Sequence, residues 1–260
     1  MNLESLDWSI LGPAIVAGLL VLSTHVPLGA EVLKRGIIFI DLAIAQVAGL
    51  GVLAAGVLGW EDHRWAVQIS AVTAALVAAA GLNWTERRWP RSQEALIGIL
   101  FVLAATGSIL LLSENPHGGE YLKDLLVGQI LWSTWHSLVP VALLYALLLG
   151  AWFTARKRMG PSGFYVMFAF AVTASVQLVG VYLVFAALII PALSTRRLPG
   201  WRRLLTGYVV GALSFVAGIV LSAVLDLPTG AVTVWTMAIF GTVAGFLIGS
   251  RKMAGESGAG

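Results

Sequence analysis

Asp41 is an acid set where an acid is expensive. It is the only one inside a long apolar run, at 36–60, about four residues past the apolar start at Ile37. A carboxylate surrounded by hydrocarbon marks an ion or proton path, a relay or a buried pair. A protonated Asp bonded to backbone, or an acid capping a helix near an interface, would give the same pattern. Gln46 follows five residues later, roughly 140° further around a helix, so the two do not share one face. Gln46 either lines a route or bonds a neighbouring helix. Glu94 opens another apolar run, as a route residue or as the partner of a helix dipole.

Other chemistries find little support. His25, His63, His117 and His136 show no His-x-x-x-His spacing. They read as structural residues or solvated loop residues, with His136 at a helix break. Cysteine is absent, which removes disulfides, thiolate metal sites and catalytic thiols. No Gly-x-x-x-x-Gly-Lys-Ser/Thr loop occurs, so ATP is not bound by that device. No nucleophile–base pair stands out, and the chain is not expected to be an enzyme.

The elements that carry these residues are greasy. The 260 residues are 58% hydrophobic and 11% charged, with mean hydropathy +0.89. A soluble domain typically carries about 25% charged residues, so too little polar surface remains to face water, and lipid must solvate much of the chain. The sequence pI is about 9.4, but the net charge is only +3 and falls in short clusters between apolar runs. That arrangement orients membrane proteins and argues against nucleic-acid binding. The first nine residues carry Glu4 and Asp7 and no Lys or Arg. The first apolar run is therefore expected to be retained, not cleaved as a signal.

Asp41 aside, Asp, Glu, Lys and Arg are missing from runs 8–30, 36–60, 65–85, 95–113, 125–155, 159–195, 204–225 and 227–250. A helix of about 20 apolar residues crosses a bilayer, and six of the runs fit one crossing each. Run 125–155 is long, with Pro140 inside and Trp132 to Trp135 before it, and predicts a short outer helix, a break and a main span. Run 159–195 is flanked on both sides by clustered Arg and Lys. Both flanks belong in the cytoplasm under the positive-inside rule. The segment must enter and return, as a hairpin of two short helices turning near 177–180.

The fold class expected is therefore all-α: a polytopic bundle of about seven full spans plus one short-helix hairpin, N-terminus outside and C-terminus cytoplasmic. With that orientation the cytoplasmic loops hold Lys34, Arg35, Arg87, Arg88, Arg91, Arg156, Lys157, Arg158, Arg196, Arg197, Arg202, Arg203, Arg251 and Lys252. That is fourteen of the sixteen basic residues, and only Arg64 and Lys123 fall outside. Trp8, Trp60, Trp65, Trp84, Trp89, Trp152 and Trp201 sit at run ends, as an interfacial belt would. Residues 1–250 read as one transmembrane domain and 251–260 as a cytoplasmic tail, with 255–260 expected to be disordered. Gly207 and Gly211, and Gly241, Gly245 and Gly249, recur at four-residue spacing and predict close helix packing.

Five stretches in order resemble the integral-membrane permease of ABC importers for zinc, manganese or chelated iron. The first runs from Pro27 through Lys34, Arg35 and Gly36 to Asp41 and on to Gly51 and Val52. The second is Glu94 with Ile97, Gly98 and Ile99. The third is Asp124 to Leu131, with Gly128 inside. The fourth runs from Val179 and Gly180 to Leu188, Ile189, Ile190, Pro191 and Ala192. The last is Asp226, Leu227, Pro228, Thr229, Gly230 and Ala231. The family's histidine four residues after the aspartate falls on Ala45, next to Gln46.

The resemblance implies a permease subunit of an ATP-driven importer for divalent metal ions, zinc or manganese, in the inner (plasma) membrane. A permease for a metal chelate, or an ATPase-independent secondary transporter or channel, is the alternative. It implies two copies forming the route, a cytoplasmic ATP-binding subunit, and a periplasmic or extracellular metal-binding protein delivering cargo to outer loops that carry Glu61, Asp62, Glu114, Glu120 and Asp124. No permanently bound cofactor is implied; the metal is the substrate. Asp41, Gln46 and Glu94 would serve the metal route. Segment 191–205 would form the coupling region, with Arg196, Arg197, Arg202 and Arg203 on a short helix seated in the ATPase. Plain positive-inside loop charge is the other reading of those arginines. Gln46 in place of histidine makes a harder site and leans toward manganese.

Overall fold

The computed structural model describes residues 7–60, 63–113, 118–155 and 160–257. All regular elements among them are helical. In chain order they are α1 (Trp8–Arg35), α2 (Ile40–Val57), α3 (Arg64–Arg88), α4 (Gln93–Leu112), α5 (Gly118–Val127), α6 (Trp135–Ala155), α7 (Pro161–Val179), α8 (Val181–Ser194), α9 (Gly200–Leu225) and α10 (Thr229–Ser257). Single 3-10 turns cover Pro90–Ser92 and Ile130–Trp132. Helices are what lipid demands, because each satisfies its backbone hydrogen bonds within one segment.

Eight of these helices are long and apolar enough to cross a membrane. Seven coincide with the predicted full spans. The eighth is α7, the first leg of the predicted hairpin, which at 19 residues is longer than expected. The second leg, α8, has only 14 residues and falls among the shorter apolar helices. The break between them is Gly180, inside the predicted turn. The break within run 125–155 also lies where expected, at 128–134, and α6 continues through Pro140. At the other end α10 extends to Ser257, so 255–257 is helical where disorder was expected; 258–260 lie outside the described residues.

The chain divides into two compact interleaved units. One comprises 1–35, 129–142 and 182–260; the other comprises 36–128 and 143–181.

In the first unit α9 packs on α1 and on α10. Gly207 faces Val26 and Gly211 faces Leu22, whose side chain would have to shift to admit a Cβ at Gly211. Gly18 on α1 lies against the Phe215 ring, and Gly29 against the Leu188 carbonyl of α8. The Tyr208 hydroxyl donates to the Ser23 carbonyl at 2.9 Å, a bond between α9 and α1. α9 ends at Asp226 in the left-handed region, φ 53°, and the Ser222 hydroxyl pairs with Thr229 at 2.6 Å across the turn to α10. Thr236 donates to the Ser214 carbonyl at 2.9 Å, joining α10 to α9. At the chain start the Ser9 N–H donates to Asp7 at 2.8 Å, capping α1 and holding that exposed carboxyl below its usual range.

In the second unit α2 is the central element, packed on α3, α4 and α7. Gly51 sits against the backbone of α3, and the Ser70 hydroxyl donates to its carbonyl at 2.7 Å. Gln93 ties three helices together. Its Nε2 donates to the Leu82 carbonyl at 2.9 Å and to Tyr165 at 3.2 Å, while its Oε1 accepts from Thr85 at 2.9 Å. Gly128 and Gly180 meet backbone to backbone, each at positive φ. Only glycine gives both the left-handed conformation and the close approach.

Of the expected tryptophan belt, Trp8, Trp60, Trp65, Trp84, Trp89 and Trp201 are exposed, whereas Trp152 is buried at 5% exposure. It sits in the last turn of α6 with its ring turned inward.

Candidate functional site

The route residues read from the sequence fall in the second unit. The turn before α2 sets Asp41 as the second residue of that helix, in its first turn. That is nearer the helix start than a run beginning at Ile37 suggested, because 36–39 is spent on the turn. The position does not expose it: Asp41 is 0% exposed, and Gln46 is 3% exposed. Both carboxylate oxygens of Asp41 and the Oε1 of Gln46 have no hydrogen-bond partner.

Asp41 and Gln46 point in different directions around α2, and both are nevertheless buried. The first half of this helix is enclosed on most sides, with Ile40, Ala43, Ile44, Ala45 and Ala48 buried as well. Glu94 is in the first turn of α4. Its Oε1 accepts the N–H of Phe39 at 3.2 Å, and its Oε2 has no partner. The acid therefore serves the turn that leads into α2, two residues before Asp41. The Thr173 hydroxyl on α7 is also buried without a partner. Its residue type drew no attention in the sequence, since buried threonines ordinarily bond the preceding turn of their own helix.

Burying a carboxylate without a compensating bond costs several kcal/mol, of order the penalty for an unpaired charge. Such a group offers oxygen donors to an arriving cation. Among the described residues no group of three or more His, Cys, Asp or Glu could hold a metal ion.

The histidines stay apart from this. His25 is wholly buried in α1, and its Nδ1–H donates to the Val21 carbonyl at 2.9 Å. His63 stacks edge-on to Trp65 at 6.1 Å, and His136 is exposed. His117 lies outside the described residues, as do Glu61, Asp62 and Glu114. Glu120 and Asp124, on α5, are exposed and four residues apart, on one face.

The arginine segment belongs to the first unit. α8 ends at Ser194, and residues 195–199 form turns and a bend instead of the expected separate short helix. Pro199 keeps Leu198 out of helix and stands as the N-cap of α9. Arg202 and Arg203 then lie in the first turns of α9. Arg196, Arg197 and Arg202 are exposed. Arg203 turns back to donate to the Ala192 carbonyl at 3.4 Å, a tether from α9 to the end of α8.

Known proteins resemble this chain along most of its length. Residues 7–164 and 159–248 match the model of the ABC 3 transport family. The manganese transport system membrane protein MntC of Halalkalibacterium halodurans is 27% identical over 251 residues, covering 88% of this chain and 84% of that protein. The structure of PsaBC from Streptococcus pneumoniae in complex with Fab superposes with TM-score 0.74 at 20% identity. It covers 94% of this chain and 95% of that one.

Proposed function

We propose that this chain, which belongs to the ABC 3 transport family, passes a divalent metal ion, manganese before zinc, along a route that uses Asp41. As a member of that family it is the multi-pass membrane permease of a metal-ion importer. It is not itself catalytic, since ATP is hydrolysed by a separate subunit. Membership also implies a cognate ATPase and an extracytoplasmic metal-binding protein.

The observation that carries the cargo reading is the burial of Asp41 with both oxygens unpartnered. Its two unpartnered oxygens offer weak, exchangeable coordination to a partly hydrated ion. Gln46, on a different face of the same helix, offers a hard oxygen donor of its own further along the route. Glu94 acts from behind, by setting the turn through which α2 begins. Oxygen donors without sulfur or histidine favour manganese over zinc, and the name of the MntC relative leans the same way.

Two copies of the chain would frame the route. The positive-inside count supports an N-terminus outside and a cytoplasmic 191–205 segment that meets the ATPase. Within it Arg196, Arg197 and Arg202 offer exposed cations, and Arg203 supports the segment through Ala192.

Asp41→Asn tests the proposal. Manganese accumulation is expected to fall at least tenfold while the amount of permease in the membrane stays the same. Undiminished accumulation of manganese, zinc and iron, each measured under limitation of that metal, would remove Asp41 from the route.

A further inference from the structure

α7 contains no Asp, Glu, Lys or Arg, and its polar side chains sort by face. Ser175 donates to the Ala171 and Val172 carbonyls at 2.9 and 3.0 Å, and the Tyr165 hydroxyl accepts from Gln93 at 3.2 Å. The other three, Ser162, Thr173 and Gln177, fall within about 60° of one another around the helix. Ser162 is taken by α3: its Oγ accepts from Arg87 at 2.6 Å and from Asn83 at 3.2 Å. Gln177 is exposed. Thr173 between them is 1% exposed, and among the described residues it is the one serine or threonine whose hydroxyl is buried without a partner. Helical threonines elsewhere bond the carbonyl four residues back, as Thr106, Thr154 and Thr233 do at 2.7, 2.6 and 2.7 Å. Thr173 makes no such bond, which is costly for a buried hydroxyl.

α7 packs on α2, and two sets of contacts show that the helices run the same way. Near their starts Gln93 meets Tyr165, while the adjoining Glu94 accepts the N–H of Phe39. Further on α5 meets both, with Leu125 against Gly49 and Gly128 against Val179. At about 1.5 Å per residue, Thr173 stands about 12 Å past Tyr165, whereas Asp41 stands only about 3 Å past Phe39. We propose that the face of α7 bearing Thr173 and Gln177 lines the metal route beyond Asp41, the two side chains offering neutral oxygens to the water shell of the passing ion. The inference rests on the reading that a cation moves past α2. Water bound to a cation presents hydrogens outward, which hydroxyl and amide oxygens accept. Being neutral, such oxygens ease transit without holding the ion.

The chain has no cysteine, so one introduced thiol is the only target for a thiol reagent. Thr173→Cys is compared with Ser175→Cys, which lies about 160° around the same helix. Cells taking up metal are treated with a small cationic methanethiosulfonate, and the purified permease is read by mass spectrometry. Thr173→Cys is expected to react about tenfold faster than Ser175→Cys, because reaction needs access from water, and added manganese should slow it. Gln177→Cys, at an exposed position, should behave the same way and carries the test if the Thr173 variant is not recovered. Rates no greater than that of Ser175→Cys overturn the proposal, as does a reaction that none of manganese, zinc and iron slows. Thr173→Val and Thr173→Ser separate transit from packing. The Val variant should lower metal uptake about fivefold with an unchanged or higher unfolding midpoint, since it loses only an unpaired hydroxyl, and the Ser variant should retain uptake. Equal uptake by the two would remove the hydroxyl from the route and overturn the proposal. Thiol reaction reports water along α7 and not the role of Asp41: full uptake by Asp41→Asn would dismiss the carboxylate and leave the contrast between 173 and 175 as it is.

Discussion

Glu94, in the first turn of α4, accepts the backbone N–H of Phe39 at 3.2 Å, and Phe39 precedes the buried Asp41 by two residues. A side chain fifty-five residues away in sequence thus holds the start of the helix that carries the only buried acid among the described residues of the second unit. Removing it with Glu94→Ala should cost about 1 kcal/mol of stability. It should also lower metal uptake, because α2 would no longer begin in one place. Thermal unfolding in detergent beside uptake in cells measures both. A variant with full stability and full uptake would show that the bond is idle.

The identity of residue 46 should tune the cargo. Gln46→His replaces a hard oxygen donor with imidazole, which suits zinc. The ratio of zinc to manganese uptake is expected to rise several-fold, read by metal analysis of cells grown with both ions. A ratio that stays put would remove Gln46 from the route.

Gly128 and Gly180 sit backbone against backbone at positive φ. Gly180→Ala faces both the strained conformation and the overlap, and should cost at least about 2 kcal/mol. Gly128→Ala should do much the same, and the double variant should lose less than the sum, because one contact is counted twice. Unfolding midpoints of the three variants decide this.

Glycines of the helices divide by what surrounds them. A Cβ on Gly29 would overlap the Leu188 carbonyl, whereas one on Gly81 meets nothing within 4 Å. Gly29→Ala is expected to destabilise by about 2 kcal/mol. Gly81→Ala should stabilise by about 0.5–1 kcal/mol, through the helix preference of alanine. The same unfolding assay should give opposite signs.

Tyr208→Phe removes the hydroxyl that bonds the Ser23 carbonyl at 2.9 Å. Interhelical hydrogen bonds in membrane proteins contribute about 0.6 kcal/mol on average, and a loss of that order is expected with no change in cargo selectivity.

Residue type and order alone determined the all-α class, seven of the eight helices long and apolar enough to cross a membrane, and the interruptions at 128–134 and at Gly180. The reason is that lipid reads composition: an uncharged run of about 20 residues has one stable form there, and an acid within it stands out. Glycine spacing likewise announced that α9 would pack closely.

Partners and burial were decided only by the tertiary structure. Nothing near Glu94 in the sequence points to Phe39, and nothing about Thr173 distinguishes it from threonines that bond their own helix. The expected coupling helix gave way to turns at 195–197, while Arg203 found the Ala192 carbonyl. Trp152 lies at the end of an apolar run like its six exposed counterparts, yet it is buried. Hydropathy reports what a segment can enter, but which face of a helix meets protein depends on neighbours distant in sequence, and that becomes legible only once the helices are packed.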